Sequence, residues 1–190
     1  MKRLGLLRHA KSDSNDLSLR DFDRGLNDRG RRGAALMGRH IAEHERDHGI
    51  AWDLVLASPA ERVRRTLEAS GLRYPVRWED DAYLASSCAL IELLQAVEDD
   101  AESVLLVGHN PGLQELLFDL GAPEDETSGL FSEAAEKYPT ASFAVLELAI
   151  DHWSECRKGC GQFVHFSRPR DLDPSLGPEP VGEHDAGFRR

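Results

Sequence analysis

The chain is poor in cysteine, in cationic charge and in long apolar runs, and each shortage closes off a class of protein. Three cysteines, Cys88, Cys156 and Cys160, are too few and too odd a set for a disulfide framework and fit the reduced thiols of a cytosol. Lysine and arginine number 23 against 34 aspartates and glutamates, a formal charge of −11. Nucleic acid and anionic membrane are repelled at long range by that balance, so neither is an expected partner and any anion site must be local. No apolar run approaches the roughly 18 residues a membrane span requires. The stretch Leu4-Gly5-Leu6-Leu7 is too short for a secretory signal, so the expected location is cytoplasmic. There is no internal repeat and no G-x-x-x-x-G-K-[ST] phosphate loop, which leaves nucleotide-dependent transfer unsupported.

What is present suits one globular domain: 190 residues, 41% hydrophobic and 30% charged, enough to bury a single core. Leu4–Leu7, Asp53–Ala57 and Val104–Val107 read as short buried strands. Between them lie helical patterns. One runs from an Asn27 cap to Gly49, with Ala34, Met37 and Ile41 inward and His40, His44 and His48 on a solvated polar face. A second is expected to open on Ser58 as cap with Pro59 in first position, and to end at Gly71. A third is capped by Ser86 or Ser87, and a fourth by Asn110 with Pro111 following. Residues 122–137 form an acidic loop with a short helix from Leu130, and Phe143–Ile150 is a strand paired with Gly161–Ser167. Cys156 and Cys160 with His152 and His165 match no strong zinc spacing, so they read as a turn with incidental thiols. The reading divides the chain into a domain over 1–170 and a Pro-, Gly- and acid-rich flexible tail over 171–190.

The chemistry-bearing residues gather where strands stop. Arg8 and His9 follow the first strand, Arg62 follows the second by one helical turn, and Gly108-His109-Asn110-Pro111-Gly112 follows Val107. In a parallel sheet these ends share one edge, where open α/β sheets place their ligands. Two guanidinium groups, two imidazoles and a helix N-terminus make a pocket suited to a phosphoryl group.

Leu7-Arg8-His9-Ala10-Lys11-Ser12, Leu26-Asn27 with Gly30, Ser58-Pro59-Ala60 with Arg62 and Thr66, Val107–Gly112, and Pro139-Thr140 together resemble the histidine phosphatase (phosphoglycerate mutase-like) superfamily, and within it the SixA-type phosphohistidine phosphatases. The resemblance spans residues 3 to about 170. It implies an α/β three-layer sandwich with a mostly parallel central sheet, no metal and no cofactor. It also implies His9 as nucleophile, with Arg8, Arg62 and His109 holding the phosphoryl oxygens and Asn15 and Ser12 as lesser phosphate contacts. Two departures stand out. Ala10 replaces the glycine of the wider superfamily, as in the SixA type, and the glutamate that donates a proton in mutase-like members has no secure match. Asp81 is the first candidate for that donor, with Asp80 and Glu79 beside it. Without a strong acid, a phosphohistidine is a better substrate than a sugar phosphate, because a protonated phosphoimidazole leaves as a neutral ring. The expected partner is therefore a protein carrying phosphohistidine. A small phosphorylated molecule is the alternative, and a non-catalytic phosphate-binding regulatory module the third reading.

Overall fold

The structure, a computed structural model, describes residues 1–13, 18–122 and 127–177. Among them one sheet of six strands forms, in the order β3-β2-β4-β1-β5-β6. These are β1 (Lys2–Arg8), β2 (Leu54–Ala57), β3 (Val76–Trp78), β4 (Ser103–Gly108), β5 (Phe143–Leu148) and β6 (Gly161–Ser167). The first four run parallel, with Leu4 opposite Val104 and Leu7 opposite Val107, while β5 lies antiparallel to β1 and pairs with β6 as a hairpin. Central strands covered on both faces need no polar side, which is why β4 is buried along its whole length.

Alternate residues feed two cores, as the period of two demands. Leu4, Leu6, Val104 and Leu106 pack with α3 (Ser87–Gln95) and α4 (Gly112–Leu120); Leu7, Leu105 and Val107 pack with α1 (Asp28–His48) and α2 (Glu61–Ser70). The result is the expected three-layer α/β sandwich. Short helices α5 (Gly129–Glu136) and α6 (Pro169–Leu172) complete it. No helix among the described residues is long and apolar enough to cross a membrane.

Local signals fixed most helix ends. The Asn27 side chain accepts from Gly30 N at 2.8 Å, and Gly49 closes α1 in the left-handed region at φ 63°. Ser86 caps α3 through Ala89 N. Two starts differ from expectation. α2 begins at Glu61, not Pro59, with Ala60 in the cap position and the Ser58 hydroxyl shared between Ala60 N at 3.4 Å and a histidine described below; α4 begins at Gly112, with Pro111 just outside it. The two helices of the α1 layer approach closely, since a Cβ on Gly38 would lie 2.0 Å from the carbonyl oxygen of Ser70 at the end of α2.

The chain is packed further than the division at residue 170 implied. Asp171 accepts from both the backbone and the guanidinium of Arg168, which sets α6, and Leu176 is buried on a further turn at Pro174–Leu176. Residues 178–190, the rest of the expected tail, lie outside the described residues.

Of the three α1 histidines only His48 is exposed, while His40 is half-buried and His44 leaves the solvated face altogether. His44 is buried, its ring 4.4 Å from that of His165 on β6 and edge-on to Phe143, and His40 Nε2 meets His165 Nε2 at 3.0 Å. The sequence could not reveal this, because His165 comes from the last strand. Among the described residues, no group of three or more His, Cys, Asp or Glu is placed to hold a metal ion. Burial, and then neighbouring imidazoles and Arg3, push His44 down to about 4, with Asp47 opposing; burial and the same histidines push His165 down to about 4, and burial lowers His40 despite Glu43. These rings are neutral when folded, whereas the unfolded chain takes up protons on them below pH about 6.5. Stability is therefore complete above pH about 6.5 and falls as the pH drops toward 4. Urea midpoints measured from pH 7.5 to 4.5 should decline across that window, and less steeply in His165→Gln.

Candidate functional site

β1 delivers Arg8 and His9 to the sheet edge, and the backbone there is held from three sides. His9 N donates to Gly108 O of β4 at 3.0 Å, Ala10 N donates to Thr66 Oγ1 of α2 at 2.9 Å, and Ala141 N reaches the carbonyls of Arg8 and His9 at 3.1 and 3.0 Å. Ala141 does so from a left-handed conformation, φ 59°, that a residue with a Cβ seldom adopts. Such strain persists only where the surroundings impose it, and it tends to collect at functional sites.

His9 is buried, and its Nδ1 donates to the carbonyl of the next residue, Ala10, at 2.7 Å. That bond selects the tautomer: the proton sits on Nδ1 and Nε2 keeps a lone pair. Burial, opposed by the Ala10 bond and reinforced by His109, Arg62 and Arg8, pushes His9 down to about 3. The ring is a neutral base at any physiological pH.

His109, at the end of β4, lies with its ring centroid 5.1 Å from that of His9. Its Nδ1 accepts from Arg62 Nη2 at 3.2 Å and its Nε2–H donates to Ser58 Oγ at 2.8 Å, so this ring too is neutral and fixed. Burial first, then Arg62, lowers it to about 4. Arg62, in the first turn of α2 and buried, also donates from Nη1 to Asp21 O and from Nη2 to Asp21 Oδ2. Tyr83 donates its hydroxyl to the same Oδ2 at 2.6 Å and sets its ring edge-on to His109 at 5.4 Å. The Tyr83 hydrogen bond and Arg62 hold Asp21 below the usual carboxylate range, so it is ionised at neutral pH. Arg8 donates from Nη1 to Tyr138 O at 2.7 Å, while its Nε is buried with no hydrogen-bond partner among the described residues.

Of the residues singled out in the sequence, the structure brings His9, Arg62 and His109 into one buried cluster with Arg8 beside it. Ser12 is half-buried in a bridge to Leu26, which holds the loop after His9 against the start of α1. Asn15 lies outside the described residues. Asp81 is exposed on the one-turn helix Asp80–Ala82, and Glu79 is paired with Arg77 at 2.7 Å. The residue of that segment that reaches the site is Tyr83, two positions on. Asp21, Tyr83 and the Ser58 hydroxyl were the residues sequence reasoning missed as site members. Only Ser58 carried a signal, as the first residue after a strand beside a motif arginine.

Residues 4–86 match the family model of the Histidine phosphatase superfamily (branch 1). An uncharacterized protein of Mycobacterium tuberculosis is 36% identical over 164 residues, which are 86% of this chain and all of that one. The Nakamurella multipartitia protein assigned as phosphohistidine phosphatase SixA superposes with a TM-score of 0.76 at 30% identity, over 88% of this chain and 96% of that one. An Agrobacterium tumefaciens protein with the same assignment gives 0.68 at 30% identity, over 88% and 98%. The chain belongs to the histidine phosphatase superfamily, as one of its SixA-like members.

Proposed function

We propose that this histidine phosphatase hydrolyses phosphohistidine on a protein in the cytoplasm, through a phosphohistidine of its own at His9. The Nε2 lone pair of His9, presented by the Nδ1–H bond to Ala10, attacks phosphorus. A new P–N bond forms as the substrate's P–N bond breaks, and the departing imidazole leaves neutral because its ring was protonated. Arg62, Arg8 and the Nε2–H of His109 supply donors to the phosphoryl oxygens. The Nε2–H of His109, which donates to Ser58 Oγ in the unliganded site, exchanges that acceptor for a phosphoryl oxygen, and Arg8 Nε is a donor without a partner among the described residues. Water then attacks the phosphorus on His9, releasing inorganic phosphate and restoring the neutral ring.

The observation that carries the choice of substrate is the state of the carboxylate at the site. Asp21 is held ionised by Tyr83 and Arg62 and has no proton to give an alkoxide, and Asp81 stands exposed on its turn. A phosphoimidazole needs no such proton. An acid of this kind contributes about 100-fold or more, so kcat/KM on a phosphohistidine peptide should exceed that on an alkyl phosphate such as phosphoserine by at least that factor. Equal values, or a preference for the alkyl ester, would remove phosphohistidine as the substrate while leaving the nucleophile in place.

A further inference from the structure

The protein is strongly acidic, yet beside the catalytic cluster, on the β5 side of Arg8, it holds an open cleft of about 330 Å³ whose charged lining among the described residues is entirely cationic. Arg8, Lys11, Arg29, Lys137 and Arg170 line it, and no carboxylate among the described residues does. These side chains come from five different places: the end of β1, the loop after His9, the start of α1, the end of α5 and α6. Such convergence is not a property of any one charged stretch. The nearest acid of α6, Asp171, is committed to Arg168, which leaves Arg170 without a hydrogen-bonded or ion-paired carboxylate among the described residues. Lys11 and Lys137 are likewise without an ion-pair partner there, and Arg29 spends its Nη2 on the carbonyls of Leu176 and Gly177, which closes the cavity on its far side.

Like charges gathered in a concave site repel one another and lower stability unless an anion joins them, and a cleft of one sign focuses its field on such a ligand. Arg8 borders both this cavity and the catalytic cluster, whereas His9, Arg62 and His109 do not line the cavity. We propose that the cavity is a second oxyanion subsite, which receives an acidic group of the substrate polypeptide, carboxylate or phosphate, carried close to its phosphohistidine. The inference rests on the phosphohistidine reading above and adds to it a rule of selection: the preferred substrate has a second negative charge within reach of Arg8.

Three phosphohistidine peptides, identical but for glutamine, glutamate or phosphoserine flanking the phosphohistidine, test it. The acidic peptides should gain about tenfold in kcat/KM over the glutamine peptide, the size of one charge-assisted hydrogen bond, and the gain should appear in KM. In Lys137→Ala and in Arg170→Ala the ratio of acidic to neutral peptide should fall below threefold. A larger gain for glutamate assigns the site to carboxylates, and one for phosphoserine assigns it to phosphates. Equal rates on all three peptides in the wild type, or a ratio that neither variant changes, would overturn the subsite. If no peptide is hydrolysed, the phosphohistidine reading fails instead. The subsite is then decided by titrating a hexaglutamate peptide and following the amide resonances of Gly33, Lys137 and Arg170: shifts that vanish in the two variants support it, and no shifts in the wild type end it.

Discussion

Mixed with a labelled phosphodonor and quenched rapidly, the wild-type protein should carry one acid-labile phosphate, and His9→Ala none, with kcat/KM lower by about 10⁴-fold or more. The size of the loss follows from what remains. Arg62, His109 and Arg8 would still gather an oxyanion, so the variant should bind inorganic phosphate, but no lone pair would be aimed at phosphorus. The imidazole of His9 is unusual in being ready without activation: buried among cations, it is neutral, and its Nδ1 proton is held by Ala10 O. His109 cannot take its place, since both of its ring nitrogens are engaged, with Arg62 and Ser58. A label that persists undiminished in His9→Ala would end the assignment of the nucleophile.

Gly38→Ala should destabilise the protein by about 3 kcal/mol, the upper part of the range for overpacking. For a chain of this size that corresponds to a fall in Tm of roughly 6–12 °C. The sign is the opposite of the usual one, because alanine is favoured over glycine inside an exposed helix by about 1 kcal/mol. Here the added methyl would sit 2.0 Å from Ser70 O and 2.6 Å from its carbonyl carbon, and backbone atoms cannot swing aside. Relief requires α2 to move away from α1, and α2 carries Arg62 and Thr66, so activity should fall along with Tm. Gly129→Ala, where nothing lies within 4 Å of the new Cβ, is the control and should melt at or above the wild type. A Gly38→Ala protein melting within 2 °C of the wild type would show that the helices are not so close.

Much of this architecture was legible in the chain because its central strands are covered on both faces. Leu4–Leu7 and Val104–Val107 could be read as strands from continuous apolar runs, and Asn27, Gly49 and Ser86 marked helix ends by local chemistry that tertiary packing left intact. From the strand ends came the cluster of His9, Arg62 and His109. What failed to show was everything decided by contacts between distant segments. Ser58 looked like a cap, but His109, 51 residues away, shares its hydroxyl. His44 looked solvated until His165, from the last strand, was laid against it. Tyr83 carried no signal in the sequence, because a phenol does not give up its proton near neutral pH, yet it is the residue that fixes Asp21 on Arg62. Residues 169–176 lack periodicity because they pack as two single turns, too short for any period to repeat.

The hydrogen bond that sets the tautomer of His9 ends on a main-chain oxygen, and the bonds that hold the loop around it run largely between main-chain atoms of β1, β4 and the segment before β5. A backbone acceptor survives the exchange of any side chain. In evolutionary terms, the readiness of the nucleophile is uncoupled from the residues that border it, so the rim can drift toward new substrates without first sacrificing the attacking group. Selection would then act most strictly on backbone shape, at places such as Ala141, and most loosely on the charges of the neighbouring cavity, where specificity can be rewritten.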